Sequence, residues 1–318
     1  MTPPFRHSSV RDLAWVMASP SLLSAMPAVV SNDICQAIYH GNVDWLLELD
    51  HQPDLLISKL KEHNTRRLGY YFETLVAFWL QQRIAGEYFA SQVRVYDQKR
   101  VLGEFDFLFT TRSGDTLQHW ETAVKFYLYC PTDREMPHWY GPNAKDRLDI
   151  KLDRVFNHQL TLGSTPQGKR LLEHLGFQSV KAQTFFKGYL FYPMNSQRQQ
   201  ALPQELPDYI APNHLQGWWT RFNHLELPAS AADQRWMVLP RLEWLALKVI
   251  TPEHDARLLD QQELKDYLAR HFAHGQQSLL VAQMARMESG DWQELSRGFV
   301  VSEQWPSGAG EPSPVYPR

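Results

Sequence analysis

The chain has 318 residues, 43% hydrophobic and 21% charged, a balance that fits a folded globular protein of one large domain or two small ones and excludes bulk disorder. Its 32 Lys and Arg against 35 Asp and Glu give a net charge of −3, so any contact with nucleic acid has to use a local basic stripe, not a global field. Cys35 and Cys130 can build neither a disulfide framework nor a Cys-x-x-Cys zinc site, and they suit the reducing cytoplasm.

No targeting segment and no apolar run long enough to cross a bilayer is read in the chain, so no membrane partner is expected. Residues 1–64 predict an N-terminal helical segment, with short helices at 10–17, 33–39, 43–49 and 54–60 punctuated by Pro and Gly. A stronger helix is predicted over 65–85, where Leu68, Phe72, Leu75, Val76, Trp79 and Leu80 recur at helical spacing and Gly86 follows. The period then switches to that of strands at 93–96, 101–110 and 118–129, the last two joined by a hairpin loop at 111–116. Residues 138–142 read as an ordered turn. A helix over 143–162 closed by Gly163 and a fourth strand over 180–192 complete the stretch 65–193. Its order is helix, three strands, helix, strand: an α/β core with an antiparallel hairpin inside it.

Residues 194–212, rich in Pro and Gln, predict a connector to a smaller C-terminal α+β region at 213–306. That region carries strand patterns at 235–239, 278–284 and 297–302, and a helix opened by the capping-box variant Asp260-Gln-Gln-Glu263. Trp218, Trp219, Trp236, Trp244, Trp292 and Trp305 there are expected to pack in the core, or to offer a place for a protein partner. Residues 307–318 predict a frayed tail.

The chemistry concentrates on the hairpin. Alternation along Val101-Leu-Gly-Glu-Phe-Asp-Phe-Leu-Phe-Thr110 puts Glu104 and Asp106 on one face and Phe105, Phe107 and Phe109 on the other. On the next strand Glu121, Ala123 and Lys125 share a face. A hairpin closing symmetrically about Ser113-Gly114 sets Asp106 opposite Glu121, with Cβ atoms about 5 Å apart. Two facing carboxylates repel unless a cation or a lysine neutralises them. Acid, acid and lysine on one face therefore suit metal-assisted phosphodiester hydrolysis; an ordinary ion pair on a solvated polar face is the other reading.

Glu73 on the preceding helix stands among Tyr70, Tyr71, Phe72, Leu75 and Val76, where a carboxylate is either exposed or in need of a partner. On the later helix Arg147, Lys151, Arg154 and His158 recur at i, i+4, i+7 and i+11, a basic stripe suited to phosphates. Asp146, Asp149 and Asp153 leave open an ion-pair-laced surface instead. Gln159 lies beside the apolar stripe of this helix and needs a hydrogen-bond partner.

With its helix, acid-bearing hairpin, lysine-bearing strand, glutamine-bearing helix and final strand, the stretch 65–193 resembles the core of the PD-(D/E)XK nuclease superfamily. Leu68-Gly-Tyr-Tyr-Phe-Glu73, Gly103-Glu-Phe-Asp106, Trp120-Glu-Thr-Ala-Val-Lys-Phe-Tyr-Leu128 and the helix from Asp146 to Gln159 look like an uncharacterised bacterial domain-of-unknown-function family placed in that superfamily, over most of the chain. The resemblance implies a restriction-endonuclease-like fold and a Mg²⁺- or Mn²⁺-dependent nuclease acting on nucleic acid, DNA before RNA. Asp106 falls in the metal-ligand place, Lys125 in the lysine place, and Glu73 matches the helical acid of many members. The superfamily's acid two residues before the lysine is Ala123 here. Glu121, Glu104 or Glu73 then has to supply the missing ligand, or the fold is an inactive module that binds nucleic acid or protein. Walker A, Gly-x-Gly-x-x-Gly and Gly-x-Ser-x-Gly patterns are absent, so NTPase, dinucleotide-binding and α/β-hydrolase readings lack their fingerprints.

Overall fold

The chain opens with short helices, α1 (Ser8–Ala18), α2 (Asn32–His40), α3 (Val43–His51) and α4 (Asp54–Glu62). These and all that follows come from a computed structural model that describes residues 5–62, 67–112, 114–131, 138–194, 200, 202–203, 205–227, 233–275 and 277–306. The helix start expected at 65, the hairpin centre at Ser113 and the tail 307–318 lie outside the described residues. Val10, Leu13, Val16 and Met17 of α1 are fully buried, which makes it a core helix. Asp12 is buried with them and is satisfied: it accepts from Tyr71 Oη at 2.8 Å and from Ala246 N at 3.1 Å.

Next comes α5 (Leu68–Trp79), extended by a π-helical turn at Leu80–Ile84 that runs straight into β1 (Ala85–Asp97). Gly86 therefore lies in the strand and does not cap the helix. The strands approach so closely there that a Cβ on Gly86 would sit 2.8 Å from the Thr111 carbonyl oxygen. A tight turn joins β1 to β2 (Arg100–Thr111), and β3 (Gly114–Cys130) pairs antiparallel with β2. The segment at 138–142, read as a turn, begins with a short strand, β4 (His138–Tyr140), paired with the end of β3.

The expected helix over 143–162 begins later, as α6 (Leu148–Arg154), and ends in a π-helical turn at Val155–Gln159. Asn143 Oδ1 accepts from Lys145 N at 3.0 Å and holds a turn instead, and Arg147 is extended at φ −133°. Sequence reading missed α7 (Pro166–His174), although Thr165 caps it and Pro166 occupies its first position. The strand β5 (Lys181–Pro193) then lies parallel to β3, Glu121 beside Thr184 and Lys125 beside Gly188.

The rest of the chain extends the same sheet. It supplies β6 (Leu215–Arg221), β7 (Gln234–Leu239), β8 (Val249–Ile250), α8 (Gln261–His274), β9 (Leu279–Arg286) and β10 (Trp292–Val301). The order is β1-β2-β3-β5-β6-β10-β9-β7, with β4 on β3 and β8 on β10, so 65–193 and 213–306 share one mixed sheet. The capping box of Asp260 and Glu263 opens α8 as expected. On the α5 side of β3, Trp120 stacks on Phe185 with centroids 5.1 Å apart and Trp79 leans on both. On the α6 side Ala123 and Tyr127 pack against Leu148, Leu152 and Val155. All six C-terminal tryptophans are buried.

Candidate functional site

The site grows from a break in strand alternation. Phe107 and Phe109 pack with Trp120 and the α5 layer, whereas Phe105 packs with Leu108, Leu162 and Leu172. Strict alternation, as read from the sequence, puts all three phenylalanines on one face; the change of face falls at Asp106. Across the ladder Ser91 pairs with Phe107 and Val93 with Phe105, which leaves Gln92 level with Asp106. Gln92 has φ 55°, in the left-handed region that a residue with a side chain rarely adopts. The kink frees Asp106 from the pleat. Its Oδ2 accepts from Thr122 N at 2.8 Å and from Thr122 Oγ1 at 3.2 Å. The β2–β3 register pairs Phe107 with Trp120 and Leu108 with His119, and at the next residue Asp106 meets β3 through its side chain, at Thr122.

Glu121 has 1% of its surface exposed. Its Oε1 accepts from Gln159 Nε2 and lies 3.7 Å from Lys151 Nζ. Lys151 Nζ in turn donates to Gln159 Oε1 at 3.1 Å. Glu121 Oε2 is buried with no hydrogen-bond partner among the described residues. Burial, reinforced by the charge of Asp106, pushes the Glu121 carboxyl up to about 8. Burial also raises Asp106, against the pull of the Thr122 hydrogen bonds and the Lys151 charge. Glu73 is raised to about 7, by burial first and then by the charges of Asp106 and Glu104. Lys151 is lowered by its own burial. These mutual effects mark Glu73, Asp106, Glu121 and Lys151 as one electrostatic cluster.

Asp106 stands between two cavities. A cleft of about 780 Å³ on the α5 side is lined by Lys59, Arg67, Tyr70, Glu73 and Gln92 as well as Asp106. A smaller cavity of about 290 Å³ on the α6 side shares Asp106 with Glu104, Arg154, His158 and Gln159. Glu104 also pairs with Arg94 at 2.9 Å.

Two residues read from the sequence stand in other surroundings than expected. The Lys125 ammonium pairs with Asp146 at 2.5 Å and its charge acts on Lys151, while the lysine in contact with Glu121 is Lys151, contributed by α6. Arg147 does not belong to a basic stripe. It precedes the helix in extended conformation, is 4% exposed, and donates from Nε to Asp149 Oδ1 at 3.0 Å. Lys151 turns inward, which leaves Arg154 and His158 at the smaller cavity. Ala123 is buried against α6, so the place of the missing acid is filled by apolar packing. Sequence reading also missed Gln92 and Thr122, the residues that kink the strand and hold Asp106; neither residue type carries a signal for that role.

Among the described residues, no group of three or more His, Cys, Asp or Glu side chains is placed to hold a metal ion. A cation here would rest on Asp106, which lines both cavities, and at most one further carboxylate among Glu73, Glu104 and Glu121. Mg²⁺ accepts such a set when waters and phosphate oxygens complete its shell, and the unpartnered Glu121 Oε2 fits that use.

A family model described as Domain of unknown function (DUF1853) matches residues 11–301. The chain belongs to this family. The matched span of DUF1853 contains every residue named above as lining the two cavities. No curated protein and no solved structure matches the chain.

Proposed function

We propose that the chain is a metal-dependent nuclease that hydrolyses phosphodiester bonds in nucleic acid, with Mg²⁺ or Mn²⁺ as its cation and DNA as its first substrate. The observation that carries the reading is Asp106, half-buried between the two cavities, together with the buried Glu121 whose carboxyl its charge helps to raise; Glu121 Oε2 has no hydrogen-bond partner among the described residues and Oε1 lies 3.7 Å from Lys151 Nζ. Such a pair is costly without a partner of opposite charge. The order of α5, the β1–β2–β3 meander, α6 and the parallel strand β5 agrees with a PD-(D/E)XK core and supports the same reading.

Asp106 and Glu121 would hold the cation, which when bound supplies a water of lowered pKa and charge to offset the phosphate. Thr122 fixes Asp106. Gln159 bridges Glu121 and Lys151 and holds the ammonium at the site. Lys151 takes the place that the resemblance assigned to Lys125, where it can contact a phosphate oxygen or orient the attacking water. Glu73 borders the larger cleft as a base of raised pKa or a further outer ligand. Arg154 and His158 offer positive charge to the backbone on the other side.

The test is cleavage of labelled single-stranded, duplex and branched DNA, and of RNA, by the purified chain in Mg²⁺, Mn²⁺ or EDTA. Cutting that appears with either cation and stops with EDTA supports the proposal. Binding without cutting under all conditions replaces it with an inactive nucleic-acid-binding module.

A further inference from the structure

The larger cleft has one helical wall. Arg67, Tyr70, Glu73, Thr74, Ala77 and Gln81 lie along a single stripe of α5 and its flanks, about 21 Å long at the rise of a helix. The opposite face of α5 is core, with Phe72, Leu75, Val76 and Trp79 fully buried. Tyr70 stands apart from those aromatics: it is 48% exposed, on the cleft, one turn before Glu73. Arg67 and Lys59 line the same cleft, and Asp106 shares it. Glu121, with 1% of its surface exposed, bonds Gln159 on the α6 side of the sheet and is not part of the cleft lining.

An acid set within a cleft discriminates between nucleic acids by shape. Duplex DNA is a stiff rod of paired strands that receives protein elements into its grooves. It does not fold a phosphate into a narrow cleft. A single strand has one backbone and free bases, so its phosphate can descend while a base turns to an aromatic wall. From this juxtaposition we infer that the cleft takes single-stranded nucleic acid, with one base stacked on the Tyr70 ring and the backbone drawn in by Arg67 and Lys59. The inference rests on the nuclease reading and narrows its substrate.

The experiment compares a fluorescein-labelled oligothymidylate with a labelled hairpin duplex of equal phosphate number. Binding is followed by anisotropy in Ca²⁺ and cutting in Mg²⁺. The single strand binds more tightly and is cut faster. Tyr70→Ala weakens its binding about 5- to 150-fold, the worth of one stacked base, without shifting the melting temperature, and Tyr70→Trp restores it. Equal handling of duplex and single strand, with Tyr70→Ala neutral, overturns the inference and leaves the nuclease reading in place. Tyr70-dependent binding of the single strand with no cutting in Mg²⁺ or Mn²⁺ upholds the cleft's preference and overturns the nuclease. Neither binding nor cutting overturns both.

Discussion

Lys151 Nζ lies 3.7 Å from Glu121 Oε1, while Lys125, on the same strand face as Glu121, gives its ammonium to Asp146 at 2.5 Å. The lysine in contact with Glu121 thus comes from α6, not β3. Lys151→Met should abolish metal-dependent cleavage in single-turnover assays. Lys125→Met should keep it within a few-fold, because the pair it breaks is partly exposed and worth about 0–1 kcal/mol. The opposite ranking would return the role to Lys125.

The pairing of Asp106 with Glu121 also predicts a stability effect. Mg²⁺ or Mn²⁺ should stabilise the fold by mass action, by about 2.7 kcal/mol at a hundredfold excess over its dissociation constant, and so raise the melting temperature. Asp106→Asn removes a charge that raises the Glu121 carboxyl, so its metal-free form should melt at or above the wild type and respond little to the cation. Calorimetry with and without metal decides it; an unchanged response in Asp106→Asn would place the cation elsewhere.

Much of the core was legible because it depends on local pattern. The pairing of Phe107 with Trp120 follows from hairpin symmetry, and the capping box at Asp260 from four residues. What escaped depends on contacts distant in sequence. Spacing along β3 places Lys125 near the acids, but only the packing of α6 shows that Lys151 reaches Glu121 first. Gln92 has no turn signal, and its left-handed conformation comes from the sheet around it. The strand β6 hid because Trp218 and Trp219 bury into opposite layers of a two-sided sheet, which erases alternation. The start of α7, by contrast, was written in Thr165-Pro166 and was overlooked.

A second buried charge network ties the N-terminal helices to the C-terminal strands. Arg297 pairs with Glu294 and donates to the Ala246 carbonyl at 3.0 Å, and Ala246 N donates to Asp12. Arg297→Met strands Glu294 in the core and should cost about 3–5 kcal/mol in urea unfolding. A loss under about 1 kcal/mol would mean that Glu294 finds another partner.

His214 supplies a pH signature. It is 4% exposed, with Nε2 2.6 Å from Tyr192 Oη and Nδ1 at the Ala211 carbonyl. Burial lowers its pKa below the ordinary histidine value, against the opposing Ala211 carbonyl. The unfolded chain therefore takes up the proton first as pH falls. Its contribution is present above about pH 6.5 and is lost on acidification towards the lower folded value. Urea midpoints of wild type should drop across that window, and His214→Gln should flatten the drop. A steeper drop in the variant would contradict the sign.

The central claim is that Asp106 and Glu121 together form a hydrolytic centre. It is tested most directly by cleavage of labelled single-stranded DNA in Mg²⁺ by wild type and by Glu121→Gln, both verified as folded by circular dichroism. Wild type should cut and Glu121→Gln should fall to background. A wild type that leaves every nucleic acid intact, or a Glu121→Gln variant that cuts at the wild-type rate, would contradict it.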